Sequence, residues 1–540
     1  MKNLTWLLNF VKQDKWNILY LFWVTFFVPL FFFQSTNLDN YKIIFQIFYS
    51  FVFSIQIYCF SLLTNGVFKR IYFIFVFILF FLPSIVVLAA IHIDKAFLED
   101  TDFWFVFQTN TDESFAFLGN YLSWGIGLIV LIYTLVSFYL LTIKISTGSV
   151  MLRRKSIILL PAAVFMLLSG FSYSMEASNY VVDFYTSFYK YNYALKLYDD
   201  HADERLNSLH TVSVNLPDTV QKTFVVIIGE SLDRGHMSLY GYNRKTTPLL
   251  EKIEKELIVF DNAVSSDTQT SGSLKKVLTF ANTEFPDNYY LKPSIIELFN
   301  ALNFKTYWID NQLNKVNDPV PDIYIKISRL SKAYINLNFS QQDESVLQLL
   351  KNILDKKHET NRFIVIHLMG NHLPYKAHYP KSFEKFTGFD DINSREKKSL
   401  TTDQKKTINE YDNSVLYNDF VVSSIFKLVK AEKGLAYVLY FSDHGEEVFD
   451  EKIYSGRSYD NITADMCQVP VLIWLSDDYK KKKTLSVDKN RPYCLENMIH
   501  TIIDLSFIKY PDYDSTRSIV SKDFRERPRF VNGKDYTTLP

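Results

Sequence analysis

Residues 441–450 read FSDHGEEVFD, so Asp443, His444, Glu446 and Glu447 fall within five residues. They follow the apolar run GLAYVLY, which has the composition of a buried strand. A strand that stops in one imidazole and three carboxylates brings charge to a single place. A second apolar run, TFVVIIG, ends in Glu230. Carboxylate oxygens combined with an imidazole nitrogen suit zinc, with manganese as the second choice. Glu230, Asp443 and His444 are therefore candidate ligands of one ion. Glu446 and Glu447 are expected behind the ligands or in solvent, and Gly445 is expected to allow a tight turn.

The segment DNAVSSDTQTSGSLKKVLTFAN, residues 261–282, supplies nucleophile candidates. Ser265, Ser266, Thr268, Thr270, Ser271 and Ser273 lie within nine residues, after which the pattern turns helical. Capping a helix needs one such residue. A hydroxyl at a helix N-terminus is favoured as an alkoxide by the helix dipole. A neighbouring metal lowers its pKa further and makes it nucleophilic.

These residues need a scaffold. From Lys222 onward, short β-branched runs (TFVVIIG, IVF, KTYWID, FIVIHL, AYVLYFSD, VPVLIW) alternate with helical patterns such as ESVLQLLKNILDK and the stretch near 406–430. That alternation predicts a mostly parallel central sheet covered on both faces. Ligands of such sheets bind beyond the carboxyl ends of the strands. YWI ends in Asp310-Asn311-Gln312, and FIVIHLMG runs into Asn371-His372. Four strand ends thus finish in acids, amides and histidines. The KKKK run at 480–483 reads as a solvated turn.

The first third has a different character. Apolar stretches cover 16–33, 43–63, 71–93, 121–143 and 157–173. Each is about 18 to 23 residues, enough for a helix to cross a hydrocarbon core, so five spanning helices are expected. Lys2, Lys12 and Lys15, then Lys69 and Arg70, then Lys144, Arg153, Arg154 and Lys155 fall on one side of a five-span arrangement, whereas 94–120 is acidic. Basic loops stay in the cytoplasm, so everything after 175 is expected outside it. Residues 174–215, with NYVVDFYTSFYKYNYALKLYDD, read as amphipathic helices on the outer leaflet. Lys+Arg and Asp+Glu are both 58, which gives no sign of a nucleic-acid partner. Cys59, Cys467 and Cys494 allow one disulfide at most in the exported part. The expected divisions are 1–175 for the membrane bundle, 176–218 for the interfacial linker and 219–540 for the catalytic domain.

Five spans, then GES and GYNRKTTPLL, then the Thr-rich segment, MGNH and SDHGEE, in that order, resemble the phosphoethanolamine transferases that modify lipid A and lipooligosaccharide core, members of the alkaline phosphatase and sulfatase superfamily. The resemblance covers nearly the whole chain. It implies a C-terminal sulfatase-like α/β domain in the periplasm, anchored in the inner membrane by a multi-pass bundle, and a monomer. It also implies zinc-dependent transfer of phosphoethanolamine from phosphatidylethanolamine to lipopolysaccharide through a phosphothreonine. By the motif match, Glu230, Asp443 and His444 would ligate zinc. Thr270 would be the nucleophile and fourth ligand, with Thr268 as the frame-shifted alternative. His372 would lie near the phosphoryl group, and Asn311, Gln312 and Lys315 would contact the donor phosphate.

Two departures stand out. The family's paired cysteines flanking the nucleophile read here as Ser266 and Lys276. The family's histidine downstream of DHG is replaced in IYSGRSYDN, where Ser455 or Arg457 stands in its place. Arginine clamps phosphate but neither ligates metal nor acts as a base. Rival readings are a phosphoglycerol transferase of the teichoic-acid-synthase type and a degenerate glycolipid-binding homologue.

Overall fold

The computed structural model describes residues 2–34, 40–93, 124–145, 179–217, 219–312, 322–337, 342–356, 358–392, 400–458, 461–485 and 487–540. They fall into two compact units, one ending at Tyr193 and the other running from Ala194 to Pro540.

In the first unit the apolar runs form helices α1 (Lys2–Phe26), α2 (Asn40–Ser61), α3 (Gly66–Ile93) and α4 (Trp124–Tyr139). Among the described residues, four segments are long and apolar enough to cross a membrane. The expected fifth, at 157–173, lies outside the described residues. Phe68, Ile71, Phe75, Ile78 and Leu82 of α3 are all exposed at helical spacing, an apolar stripe suited to lipid. Asp14, a buried charge inside the unit, is paired, as a low dielectric favours. Tyr58 donates to Asp14 (2.9 Å) at the kink in α1, and Lys69 lies 3.8 Å from the same carboxylate. Helix α5 (Tyr180–Asp200) follows; it buries Tyr180, Val181 and Phe184 and exposes Val182, Tyr185, Phe188, Tyr189 and Tyr193.

The second unit is built on a seven-stranded sheet. Its strands are β1 (Lys222–Gly229), β2 (Leu257–Phe260), β3 (Lys305–Asp310), β4 (Ala333–Asn336), β5 (Asn361–His367), β6 (Leu435–Ser442) and β7 (Val471–Leu475). The spatial order is β2-β7-β6-β1-β5-β3-β4. The ladders from β6 to β4 are parallel, and β7 runs antiparallel to both β6 and β2. The sheet is therefore mixed, with four parallel ladders and two antiparallel ones, both made by β7; the sequence pattern foresaw the parallel part and not the reversed strand. VPVLIW has the composition of a buried strand, and composition carries no direction. All eight residues of β1 are buried, because both faces are covered. The long helix α6 (Thr402–Lys430) packs Val415, Val421, Val422 and Ile425 into the same apolar core as β1 and β5. Thr401 starts it with a capping box closed by Gln404.

Register brings the site together. β1 pairs with β6 so that Gly229 faces Ser442. The next residue on each strand is Glu230 and Asp443, and the Asp443 amide donates to the Gly229 carbonyl at 3.1 Å. On the other side, Ile228 faces His367 of β5. The chain then turns back, and the Asn371 amide donates to the Glu230 carbonyl at 2.9 Å.

Candidate metal centre and nucleophile

Glu230, Asp443 and His444 are fully buried, and each offers one ligand atom within 4.8 Å of the others. His444 Nδ1 is 2.7 Å from the Gly445 carbonyl, so it carries the proton and leaves the Nε2 lone pair facing the cluster. Asp443 Oδ1 accepts from the amides of Ser231 and His444, whereas Oδ2 is buried without a hydrogen-bond partner, 3.3 Å from His444 Nε2. An imidazole lone pair, an orphaned carboxylate oxygen and a second buried carboxylate fit a zinc ion.

The electrostatics agree. Burial pushes the Glu230 carboxyl up, but hydrogen bonding and charge from His444, followed by Arg457, outweigh it and hold Glu230 well below the usual range. Burial, reinforced by the Glu230 charge, raises Asp443 to about 7. Two carboxylates share a dry site, and the nearby positive charge that offsets them comes from His444 and Arg457.

Among the hydroxyls of 265–273, only Thr270 is aimed at the cluster. Its Oγ1 donates to Glu230 Oε2 at 3.0 Å and lies 3.4 Å from His444 Nε2. It opens helix α7 (Thr270–Val277), with Gln269 at the N-cap. The Thr268 hydroxyl instead donates to the Ser458 carbonyl, Ser265 donates to the Asp267 carbonyl, and Ser273 donates to the Asp443 carbonyl at 2.6 Å. The two departures from the paired cysteines meet each other: Lys276 Nζ donates to the Ser266 carbonyl at 3.2 Å.

Arg457 closes the cluster from the other side. Nη1 is 2.6 Å from His444 Nε2 and 3.3 Å from Glu230 Oε1, and Nη2 is 3.3 Å from His372 Nε2. His372 Nδ1 is 2.6 Å from the Leu373 carbonyl, so its Nε2 lone pair also faces inward. Burial, with the Arg457 charge behind it, lowers His372 to about 4, which makes it a neutral base. Ser455, the other residue near the expected histidine, pairs with Tyr375 instead.

Several expectations change. Of the two alternatives for Glu446 and Glu447, a place behind the ligands or in solvent, the structure has both buried. Glu446 accepts from Tyr375 at 2.8 Å and faces Arg457 Nε at 3.7 Å, while Glu447 accepts the amides of Asp450 and Glu451. Gly445 does not take a left-handed backbone; it is small because the backbone of Asp465 and Gln468 crowds it. Cys467 and Cys494 are both free and buried. The amides of Asn311 and Gln312 are committed to the scaffold: Asn311 donates to Asp343 at 2.7 Å, and Gln312 donates to the Leu368 carbonyl at 2.5 Å. Lys315 lies outside the described residues.

Some contributors went unnoticed in the sequence. Asp343 accepts the Met369 and Gly370 amides and fixes the MGNH turn. His378 lies with its ring 6.3 Å from that of His372 and perpendicular to it. Tyr242 and Arg244 of GYNRKTTPLL both donate to Asp412, which also accepts from His236, so this run braces the site from behind. A lone acid or histidine has no spacing that would have singled it out.

Two backbone positions carry the geometry. Ser231 has φ of 55°, held by its amide on Asp443, its hydroxyl on Glu230 and the Tyr411 hydroxyl on its carbonyl. Such strain persists only where the surroundings impose it. Gly370 has φ of +55°, and a Cβ there would meet the Glu230 backbone at 2.8 and 2.9 Å. Gly370→Ala is expected to cost about 1–2 kcal/mol from the left-handed backbone alone. The collision should also displace Glu230, so zinc retained after gel filtration should fall together with the unfolding midpoint.

The comparisons with known proteins bear on this geometry. The chain matches the Sulfatase family over residues 222–506. The phosphoethanolamine transferase EptC of Escherichia coli K12 is 33% identical over 482 residues, 81% of each chain. The zinc-complexed C-terminal periplasmic domain of EptC from Escherichia coli is 35% identical with a TM-score of 0.58, covering 61% of this chain and 96% of its own. The integral membrane lipooligosaccharide phosphoethanolamine transferase A of Neisseria meningitidis shares the fold, with a TM-score of 0.67 over 95% of this chain and 99% of its own at 18% identity. Buried carboxylates, an inward-facing imidazole and a threonine at a helix start thus occur in a chain 33% identical to a phosphoethanolamine transferase over most of its length, and the chain belongs to the phosphoethanolamine transferase family of the alkaline phosphatase and sulfatase superfamily.

Proposed function

We propose that this protein is an inner-membrane enzyme that moves phosphoethanolamine from phosphatidylethanolamine to lipopolysaccharide, on lipid A or a core sugar, through a phosphothreonine at Thr270. The observation that carries the reading is the Thr270 hydroxyl, 3.0 Å from Glu230 Oε2 at a helix start beside His444 and Arg457. Thr270 Oγ attacks the donor phosphorus. The bond from phosphorus to the glycerol oxygen breaks, and diacylglycerol leaves carrying the proton that Thr270 gave up. An acceptor oxygen then attacks the same phosphorus, the bond to Thr270 breaks, and the acceptor's proton returns to the threonine. His372, with its Nε2 lone pair facing the site, relays these protons.

Glu230, Asp443, His444 and Thr270 would hold a zinc ion. When bound, it supplies positive charge that lowers the hydroxyl pKa and offsets charge on phosphate oxygens. Arg457 clamps the phosphoryl group on the side facing His372. Asn311 and Gln312 act through the MGNH turn they support.

Residues 1–175 form the membrane domain, with a fifth span at 157–173. Residues 176–218 lie on the outer leaflet, with the exposed aromatic side of α5 in the interface. Residues 219–540 form the periplasmic catalytic domain, and the enzyme works as a monomer. The basic loops on one side and the acidic loop on the other support this orientation. A covalent intermediate lets two lipids use one site in turn, so ping-pong kinetics are expected.

The test uses the full chain in micelles with head-group-labelled phosphatidylethanolamine and lipopolysaccharide. The expected result is label on the glycolipid, one phosphoethanolamine heavier by mass spectrometry, with an equal amount of diacylglycerol. Release of labelled phosphoethanolamine to water alone, with no labelled glycolipid, would overturn the transferase reading.

A further inference from the structure

Away from the metal centre, a shallow cleft is walled by Tyr493 and Phe524 and ringed by Arg517, Arg525, Arg527 and Arg529, with about 240 Å³ of empty space partly open to solvent. Arg491 stacks on the Phe524 wall, 5.1 Å from the ring centre. Some of this charge is structural. Arg517 pairs with Glu284 at 2.6 Å, and Arg527 pairs with Asp514 at 3.3 Å. Arg525 is exposed, and Arg529 donates to Asn262 over the Tyr536 ring. Among the described residues, neither Arg525 nor Arg529 has an ion-pair partner. Asp523 and Glu526 are further acids on this segment. Five guanidinium groups thus face four carboxylates. Burial and the neighbouring cations hold both Arg527 and Arg529 below the usual arginine range.

The cleft is tied to the nucleophile segment. Its Tyr493–Cys494 wall pairs in parallel with Ala263–Val264, the start of the chain that leads to Thr270. The arginine run leads into the hairpin Phe530–Val531 and Lys534–Asp535, turned by Asn532 and Gly533 at positive φ. Asn532 at its tip donates to the Thr268 hydroxyl at 2.9 Å and accepts the Thr268 amide at 3.3 Å. A cationic cleft therefore sits on both strands that hold the loop two residues before Thr270.

We propose that this cleft binds a phosphate or carboxylate group of the acidic acceptor saccharide and holds that acceptor beside Thr270. Planar guanidinium groups bind such oxyanions in pairs, and the flanking rings offer faces for a sugar. The proposal rests on the transferase reading. Free phosphate has the same chemistry as a sugar phosphate, so the test separates the two.

Arg525→Glu, chosen because its side chain is exposed, and Arg525→Lys are compared with wild type in the full chain. The readouts are diacylglycerol release from phosphatidylethanolamine and transfer to intact or enzymatically dephosphorylated lipopolysaccharide. For Arg525→Glu, the KM for intact acceptor is expected to rise about tenfold, the worth of one charge-assisted contact. Any change in diacylglycerol release should be smaller. Arg525→Lys is expected to recover part of the loss, and the gap between variant and wild type should narrow on the dephosphorylated acceptor. Unchanged acceptor KM with normal diacylglycerol release overturns the proposal alone. Inhibition by millimolar inorganic phosphate that is lost in Arg525→Glu, with acceptor KM unchanged, also overturns it and assigns the cleft to a free anion. No diacylglycerol release by wild type overturns the transferase reading, and this proposal with it.

Discussion

Thr270→Ala is expected to abolish transfer of labelled head group, by a factor on the order of 10⁴ or more. Its hydroxyl is the only one in residues 265–273 that reaches the buried carboxylate cluster, at 3.0 Å from Glu230 Oε2. Alanine removes the atom to which phosphorus would bond, while the helix start and Ser273, which bonds the Asp443 carbonyl, remain. The fold should therefore survive, with an unfolding midpoint close to wild type. Thr270→Ser keeps the hydroxyl and loses one methyl worth roughly 1 kcal/mol, so activity within about tenfold of wild type is expected. Mass spectrometry of a peptide spanning Thr270, after a quench with donor but no acceptor, should find one phosphoethanolamine in wild type and Thr270→Ser, and none in Thr270→Ala. A labelled Thr268 in the alanine variant would show that the neighbour is the nucleophile. The geometry opposes that outcome, since the Thr268 hydroxyl is held between Ser458 and Asn532.

Arg457→Ala should have the second-largest effect, and on two readouts of opposite sign. Its guanidinium bridges His444, Glu230 and His372 at 2.6 to 3.3 Å and is nearly buried. A preorganised cation aimed at developing phosphate charge is commonly worth 10²- to 10³-fold in kcat, so a loss of about that size is expected. Zinc affinity should move the other way. The arginine is a positive charge against the same acceptors that would hold the ion, so removing it relieves repulsion and leaves Glu230 and His444 free for metal. Competition with a chromogenic chelator should find zinc held at least as tightly as in wild type, with one ion per chain. A variant that lost zinc along with activity would make Arg457 a structural support of the ligand set and not a phosphate clamp. Arg457→Lys keeps the charge but not the fork, so only partial recovery of kcat is expected.

The Glu230–Asp443–His444 set was legible because Glu230 and the Asp443-His444 pair each stand at the end of a largely apolar run, and a parallel pair of strands delivers such ends to one edge. The register Gly229 to Ser442 makes them neighbours. By residue type alone Thr270 was one of six hydroxyls, and only the family resemblance singled it out, with Thr268 as the alternative; the structure aims the Thr270 hydroxyl at Glu230 through side-chain direction at a helix start, which spacing does not encode. Asn311 and Gln312 show a different limit of the sequence. They stand at a strand end with the right chemistry, yet their amides are spent on Asp343 and a backbone carbonyl. Glu446 and Glu447 were expected behind the ligands or in solvent, and the sequence could not choose; Tyr375 with Arg457 for one and the 450–451 amides for the other make burial tolerable.

By itself, the sequence determined a membrane-borne first third, an α/β second part and the chemistry at its strand ends. These follow from local properties: runs of apolar residues, the alternation of strand and helix patterns, and the residue type that ends each run. Tertiary structure alone decided that β7 runs antiparallel, that Thr270 is the hydroxyl facing Glu230, and that Arg457 closes the cluster. It also decided that Lys276 reaches Ser266 where the family has cysteines, and that an arginine cleft rests on the strands leading to the nucleophile. Each of these depends on residues far apart in the chain coming within hydrogen-bond distance, and the packing of the folded chain sets such distances where residue spacing does not.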